Sequence, residues 1–456
     1  MIVLNKMNKP ILLRLNINLL VLAIVISFTN CVGKQAIHTI FQKRTPYETY
    51  ENSLRQAKLH QTQLGQAWLT TGQKALQDSL LVTLPFQETG YFKADKPMAA
   101  SYSFRARLGE VIDVQVTTRT KQDIKLFLDL FEINNLHPRE AKHVMAADTT
   151  ALNLSYKVED NLVYLVRLQP ELLRSGSYAI TISSRPSLSF PVQGKDSRAI
   201  QSFWGMERDG GARQHEGVDI FAKKGTPVIA ASAGTVTRVN ETPRGGKVVW
   251  VSDLGSRHSL YYAHLDSQLV QPGQQVQIGD TLGLVGNTGN ARTTPSHLHF
   301  GIYGFGRGAV DPYPFLYENN KKPAPLRVNE NQIGQWGRIA KNKVTVRLSP
   351  SSKGGKLGTL ARNTPVQVFG GTDDWFRVVL PDGAQGFLQE NNLEGITKAV
   401  RKQTLAADTE IMEQPQPEAA PIALAKKDSE VSVLGIYQTY QLVRLTDGTL
   451  GWLMNI

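Results

Sequence analysis

The sequence predicts a mainly β protein of several domains, on three observations. From about residue 80 onward apolar residues recur at every second position, whereas helical spacing is clear only near residues 45–72. Glycines and short apolar runs punctuated by turn residues fill a central stretch, residues 200–318. The C-terminal part repeats itself at a fixed shift of 65 positions. At 456 residues the chain has room for about three or four domains of ordinary size. The expected order is a leader over 1–30 and a tether over 31–44, then a helix plus β-sandwich over 45–195. A Gly-rich antiparallel sheet domain over 196–322 follows, then a linker over 323–333 and two small β-barrels over 334–398 and 399–456.

The leader reads as an export signal. Lys6, Lys9 and Arg14 precede an apolar run from Leu19 to Phe28. Ten helical residues reach only ~15 Å, against a hydrocarbon core of ~30 Å, so the run is a secretory h-region and not a span. Cys31, the single cysteine of the chain, follows directly. A lone cysteine is ordinarily a small buried hydrophobe. Its position here resembles a bacterial lipobox, although Asn30 is bulkier than the Gly, Ala or Ser usual before that cysteine. The resemblance implies lipidation of Cys31 and an exported protein anchored to the cell envelope. With one cysteine, no disulfide can form within the chain, and stability must come from packing. The formal charge of +12 falls to +9 once the three leader cations are removed (12 − 3). Such an excess favours anionic partners, but an exported chain meets no nucleic acid, and that class is set aside.

The helix begins at Thr45-Pro46-Tyr47-Glu48, where Thr45 can cap, Pro46 suits the first turn and Glu48 completes a capping box. Its apolar stripe runs from Tyr47 through Leu54 and Leu64 to Trp68, ending near Gly72. Alternating segments then predict a sandwich of about eight strands, the last being Gly176–Ile182. Its end looks like that of bacterial pre-peptidase sandwich modules. In the C-terminal repeat, Val366, Val368 and Gly370 meet Val431, Val433 and Gly435, and Asp382-Gly383 meets Asp447-Gly448. Gly386-Phe387-Leu388 likewise meets Gly451-Trp452-Leu453. An Asp-Gly hairpin signal before a Gly-aromatic-Leu strand resembles the bacterial Src-homology-3-like domain, which is found in tandem on cell-wall enzymes. Core packing accounts for most of its aromatics.

Five of the nine histidines fall between residues 215 and 299. In His215-Glu216-Gly217-Val218-Asp219, the helical HExxH zinc motif is excluded, because position 219 is Asp and Gly217 weakens a helix. Extended, the segment would span ~13 Å, so a turn at Gly217 has to bring His215 and Asp219 together. In Ser296-His297-Leu298-His299-Phe300, strand alternation puts both histidines on one face and Leu298 and Phe300 on the other. In Tyr261-Tyr262-Ala263-His264 the same alternation pairs His264 with Tyr262. A hydrolytic zinc keeps three protein ligands and one open position. His215, Asp219 and one of the 297/299 pair can supply the three, and the remaining histidines are acid-base groups that titrate near working pH. His258 lies outside these motifs and reads as structural. The hairpin around Gly279-Asp280 lacks the acceptor lysine of a lipoyl or biotin carrier, since the next turn is Gly286-Asn287-Thr288-Gly289.

These runs together resemble the lysostaphin/LytM-type zinc endopeptidases, over about Ser202 to Leu316. The resemblance implies a peptidoglycan hydrolase that cuts stem-peptide cross-links. It implies Zn2+ held by His215, Asp219 and His299, with His264 and His297 as catalytic histidines. Some relatives place a Tyr upstream of the first ligand, but residues 200–214 contain none. Arg208 and Arg213 are the candidates for oxyanion support in its place. Two rival readings are a non-catalytic wall-binding lipoprotein that activates other hydrolases, and a sugar-transport phosphocarrier. The intact five-residue set opposes the first, and the export signal opposes the second.

Overall fold

The computed structural model describes residues 44–120, 123–134, 140–256, 258–304 and 306–454. The leader, Cys31 and nearly all of the expected tether lie outside the described residues. Among the described residues, no helix is long and apolar enough to cross a membrane.

Helix α1 (Pro46–Gln56) opens with the expected reciprocal cap. Thr45 N donates to Glu48 Oε2 at 2.9 Å, and Glu48 N donates to Thr45 Oγ1 at 3.1 Å. The helical stripe does not run through to Gly72 as one helix. Lys58 takes a left-handed φ of 58°, a short 3-10 turn follows, and helix α2 (Gln63–Lys74) restarts behind Thr62, whose hydroxyl accepts from Gly65 N. Trp68 of α2 is fully buried and donates from Nε1 to Pro170 O at 2.8 Å.

Nine strands make the sandwich: β1 (Leu80–Leu81), β2 (Phe86–Phe92), β3 (Ala100–Ala106), β4 (Glu110–Arg119), β5 (Leu126–Ile133), β6 (Ala141–Ala146), β7 (Asn153–Lys157), β8 (Leu162–Pro170) and β9 (Gly176–Pro186). One sheet has the order β1-β3-β8-β5-β6 and the other β2-β9-β4-β7. Their inward side chains, among them Phe92, Tyr102, Ile112, Leu128 and Ile180, form one core. The second sheet continues beyond the sandwich. Strand β2 pairs on its other edge with Pro365–Thr372 of the first C-terminal unit, Thr89 opposite Gly371 and Gly90 opposite Gly370. At this seam the buried Glu88 Oε1 accepts from Tyr102 OH at 2.7 Å and faces Arg377 Nη1 at 3.5 Å. The stretch expected as a linker is partly built into that unit, because Val328 and Ile333 are buried in its core.

The 65-residue repeat is visible strand by strand. Pro365–Thr372, Trp375–Val379 and Gln385–Gln389 correspond to Glu430–Tyr437, Tyr440–Arg444 and Leu450–Met454. Trp336 and Trp452 meet edge to face at 6.0 Å between the two units, and Arg338 Nη1 donates to Leu434 O.

The central domain holds β10 (Ile200–Ser202), β11 (Glu207–Arg208), β12 (Arg213–Gln214), β13 (Val218–Phe221), β14 (Pro227–Ile229), β15 (Gly234–Thr242), β16 (Gly246–Asp253), β17 (His258–Gln268), β18 (Gln275–Val276), β19 (Thr281–Val285), β20 (His297–Gly304) and β21 (Gly308–Val310). Its main path is β10-β13-β20-β17-β16-β15-β18, antiparallel throughout, and β11 and β12 form a separate hairpin. Val218, Ile220, Leu260, Tyr262, Leu298 and Phe300 are fully buried on one face. Residues 188–193, on the sandwich side of the boundary read from sequence, belong to this packing. Leu188 and Val192 join its core, Ser189 N donates to Ala231 O, and Ile229 N donates to Pro191 O.

Candidate active site

Two strand pairings assemble the site. Between β13 and β20, Asp219 stands opposite His299 and Phe221 opposite His297. On the other side of β20, Ala263 of β17 stands opposite His299. Along β20 the two-residue period turns His297 and His299 into an open cleft of about 640 Å³, while Leu298 and Phe300 enter the core.

His215 reaches the same point from outside the sheet, where the chain leaves β12 and turns through Glu216-Gly217 into β13. Glycine is required there: a Cβ on Gly217 would sit 2.6 Å from Phe300 O and 2.7 Å from His299 Cε1. The turn brings His215 Nε2 to 3.1 Å from Asp219 Oδ1 and 3.0 Å from His299 Nδ1, and His299 Nδ1 to 3.0 Å from Asp219 Oδ1. His215 Nδ1 donates to Phe203 O at 2.9 Å, so its Nε2 carries a lone pair aimed at a carboxylate. Two acceptors facing each other at that distance repel unless a cation lies between them. The separations also approach the roughly 3.3 Å edge of a tetrahedron with ~2.0–2.1 Å bonds, and two imidazoles with one carboxylate form the donor set of a hydrolytic zinc. The residues therefore fit the ion. Burial pushes the Asp219 carboxyl upward, but His215 and His299 more than offset this and hold it well below the usual carboxylate range. Burial also lowers the pKa of His299, against the pull of Asp219.

His264 arrives by a different route from the one alternation implies. Tyr262, expected on its face, is fully buried in the core, and its hydroxyl accepts from Ala231 N. Tyr261 faces the cleft. At His264 the backbone takes φ 63°, and the pairing with β16 slips between Lys247 and Val249. This irregularity turns His264 to the cleft, where alternation would have sent it into the core. Its Nδ1 donates to Thr288 O at 2.9 Å, and His297 Nδ1 donates to Pro295 O at 2.8 Å. Both rings thus keep a free lone pair on Nε2, and their centroids lie 5.1 Å apart. Burial, reinforced by the neighbouring His299 and His297, pushes the pKa of His264 down to about 4.

Of the two arginines, Arg208 donates from Nη2 to Asp219 Oδ2 at 2.9 Å and to the Ser202 hydroxyl, and so braces the carboxylate from behind. Arg213 is engaged with Asp209 at 2.5 Å. His258 lies away from the cluster, bonded to Ser256 Oγ and edge-on to Phe315. The sequence reading missed Tyr261, Trp250 and Tyr303 on the cleft wall. Outward alternation on β16, β17 and β20 was the signal that could have found them.

Residues 213–312 match the family model of peptidase family M23, and residues 342–394 match that of the bacterial SH3 domain. The L-Ala--D-Glu endopeptidase of Bacillus subtilis is 35% identical over 29% of this chain and 46% of its own length. The peptidoglycan DD-endopeptidase ShyA of Vibrio cholerae is 38% identical over 20% of this chain and 21% of its own. The lipoprotein YgeR of Escherichia coli is 36% identical over 25% and 43%. The chain thus spans less than half the length of each of these curated relatives. The solved catalytic domain of lysostaphin from Staphylococcus simulans aligns at 32% identity over 25% of this chain and 87% of its own, with a TM-score of 0.23.

Proposed function

We propose that this chain, which carries a domain of peptidase family M23, is a zinc-dependent endopeptidase that hydrolyses peptide cross-links of bacterial peptidoglycan. The observation that carries the reading is the convergence of His215 Nε2, Asp219 Oδ1 and His299 Nδ1 at 3.0–3.1 Å from one another, beside two further histidines in one cleft. The relatives named as peptidoglycan DD-endopeptidases, the one named as an L-Ala--D-Glu endopeptidase and the bacterial SH3 domain support the wall as substrate.

In this reading His215, Asp219 and His299 hold the ion. When bound, zinc would polarise the scissile carbonyl and acidify a water. The chain's own residues do the rest. His264 and His297, each fixed by a backbone carbonyl on Nδ1, present Nε2 to accept the water proton and to return one to the leaving amine. Burial keeps His264 neutral at pH 7 and so able to accept. Arg208 holds the Asp219 carboxylate in register.

The lipoproteins among the relatives support an envelope location, and Cys31 is the residue for the anchor. Replacing Cys31 with Ser would then move the protein out of the membrane fraction, and a wild-type protein that fractionates wholly as soluble would refute the anchor. For the reaction itself, defined wall fragments are digested and the products weighed by mass spectrometry. New amino and carboxyl termini at a cross-link are expected. Binding of the fragments without any cleavage would point instead to a wall-binding activator.

A further inference from the structure

The outward face of the central sheet does not end at the metal-ligand cluster. Strand register lays it out in rows. Ala263, His299 and Asp219 form the first row. Two residues further along each strand, Trp250 of β16, Tyr261 of β17 and Gly301 of β20 stand side by side, and Ser252, Ser259 and Tyr303 make the next row. The opposite sides of these strands, including Val249, Leu260 and Ile302, are fully buried, so the aromatic residues lie on the face turned away from the core. Tyr261 meets His299 edge to face at 5.8 Å, Trp250 packs against Tyr261 at 4.4 Å, and Tyr303 lies 5.2 Å from Trp250. Gly301 leaves the room that lets the Tyr303 ring lie down, since a Cβ there would come within 3.1 Å of it. Tyr303 lies four residue steps along β20 from His299, so the track runs ~13 Å from the reaction centre. It opens into a second hollow of about 690 Å³, edged by Trp250, Ser252, Ser259, Tyr303 and His258.

Half-buried aromatic rings joined to a reaction cleft are a binding surface and not a core. The lining of the hollow decides what kind of ligand suits it. Among the described residues that line it, the polar groups are the Trp250 indole N–H, two serine hydroxyls, the Tyr303 hydroxyl, which donates to Glu216 Oε2 at 3.5 Å, and the His258 imidazole, whose pKa burial lowers. An aromatic floor edged by hydroxyls, an indole N–H and an imidazole fits a ring with one C–H face and an equatorial edge of hydroxyls and amides. We propose that the Trp250–Tyr261–Tyr303 track is a subsite for pyranose rings, holding the glycan strand of the wall polymer while its attached peptide lies at His264 and His297. The proposal rests on the peptidase reading for the ligand's place in the reaction, but sugar binding can be measured apart from hydrolysis.

The test uses the full chain and β-1,4-linked N-acetylglucosamine tetramer as probe, with binding followed by calorimetry. Trp250→Ala should weaken binding about tenfold, the scale of one lost ring contact. Trp250→Phe should retain most of it, and zinc content reports that each variant is folded. In parallel, KM is compared for a disaccharide-bearing peptide and for the same peptide without sugar, with the ratio of the two shifting about tenfold in Tyr303→Ala. If the wild type cleaves peptides but does not bind the tetramer, the sugar subsite is wrong and the peptidase reading stands. If the tetramer binds through Trp250 but nothing is cleaved, the peptidase reading fails and the subsite stands. Equal losses on both peptides would also overturn the subsite.

Discussion

His215 Nε2 and His299 Nδ1 lie 3.0 Å apart although 84 residues separate them in sequence. Neither segment alone creates that contact. It depends on the Gly217 turn, which folds His215 back over the ring of His299, and on the Asp219–His299 register.

That dependence makes Gly217 a sensitive position beside the three proposed ligands. In Gly217→Ala the new methyl would stand 2.6–2.8 Å from Phe300 O and from two atoms of the His299 ring, so the ring must move. Zinc affinity should fall about 10–100-fold, as when a ligand loses its support, with the fold intact by circular dichroism. Chelator competition measures it, and an unchanged affinity would refute the role of the turn.

His264→Ala and His297→Ala should each retain zinc yet lose hydrolysis by the order of 10²–10⁴-fold, the scale of general acid-base groups. Near-normal turnover on a defined cross-linked peptide would remove that histidine from the mechanism.

Acid should weaken the metal-free protein through the same residues. Burial holds the folded-state pKa of His264 at about 4, below the 6.5 of an ordinary histidine, so the unfolded chain binds protons first as pH falls. Stability contributed by neutral His264 is present above about 6.5 and is lost as pH falls toward about 4. His299 and His258, also pushed down by burial, act in the same direction. The melting temperature of chelated protein should drop across that window, less steeply in His264→Gln. Identical slopes would contradict the assignment.

The boundary of the central domain can be tested by truncation. Leu188 and Val192 are buried in its core, so a fragment of residues 187–318 should be more stable than one starting at 196. Loss of a buried leucine side chain costs about 2–5 kcal/mol. Thermal unfolding compares the two fragments, and equal melting points would show that residues 188–193 add nothing.

Much of this was legible in the sequence because it depends on local spacing. The mainly β character and the shared face of His297 and His299 follow from two-residue periodicity and turn residues, and the 65-residue repeat from identical residues at a fixed shift. The orientation of His264 was not legible. A left-handed residue inside an apparently regular strand leaves no mark on the pattern, so Tyr262 was read onto the cleft when Tyr261 is there. Nor was the seam between β2 and Pro365–Thr372, where backbone edges pair and Thr89 and Gly90 carry no side-chain signature. The Arg208–Asp219 contact joins a separate hairpin to the main sheet, and spacing alone does not specify that approach.

The central claim is that His215, Asp219 and His299 hold one catalytic zinc. The most direct measurement is zinc content by mass spectrometry, taken with cross-link cleavage on the same samples of wild type and Asp219→Ala, before and after chelation. The account predicts one zinc per wild-type chain, cleavage that disappears on chelation and returns with one equivalent of zinc, and neither metal nor activity in Asp219→Ala. Full zinc content in Asp219→Ala, or undiminished cleavage by metal-free wild type, would contradict it.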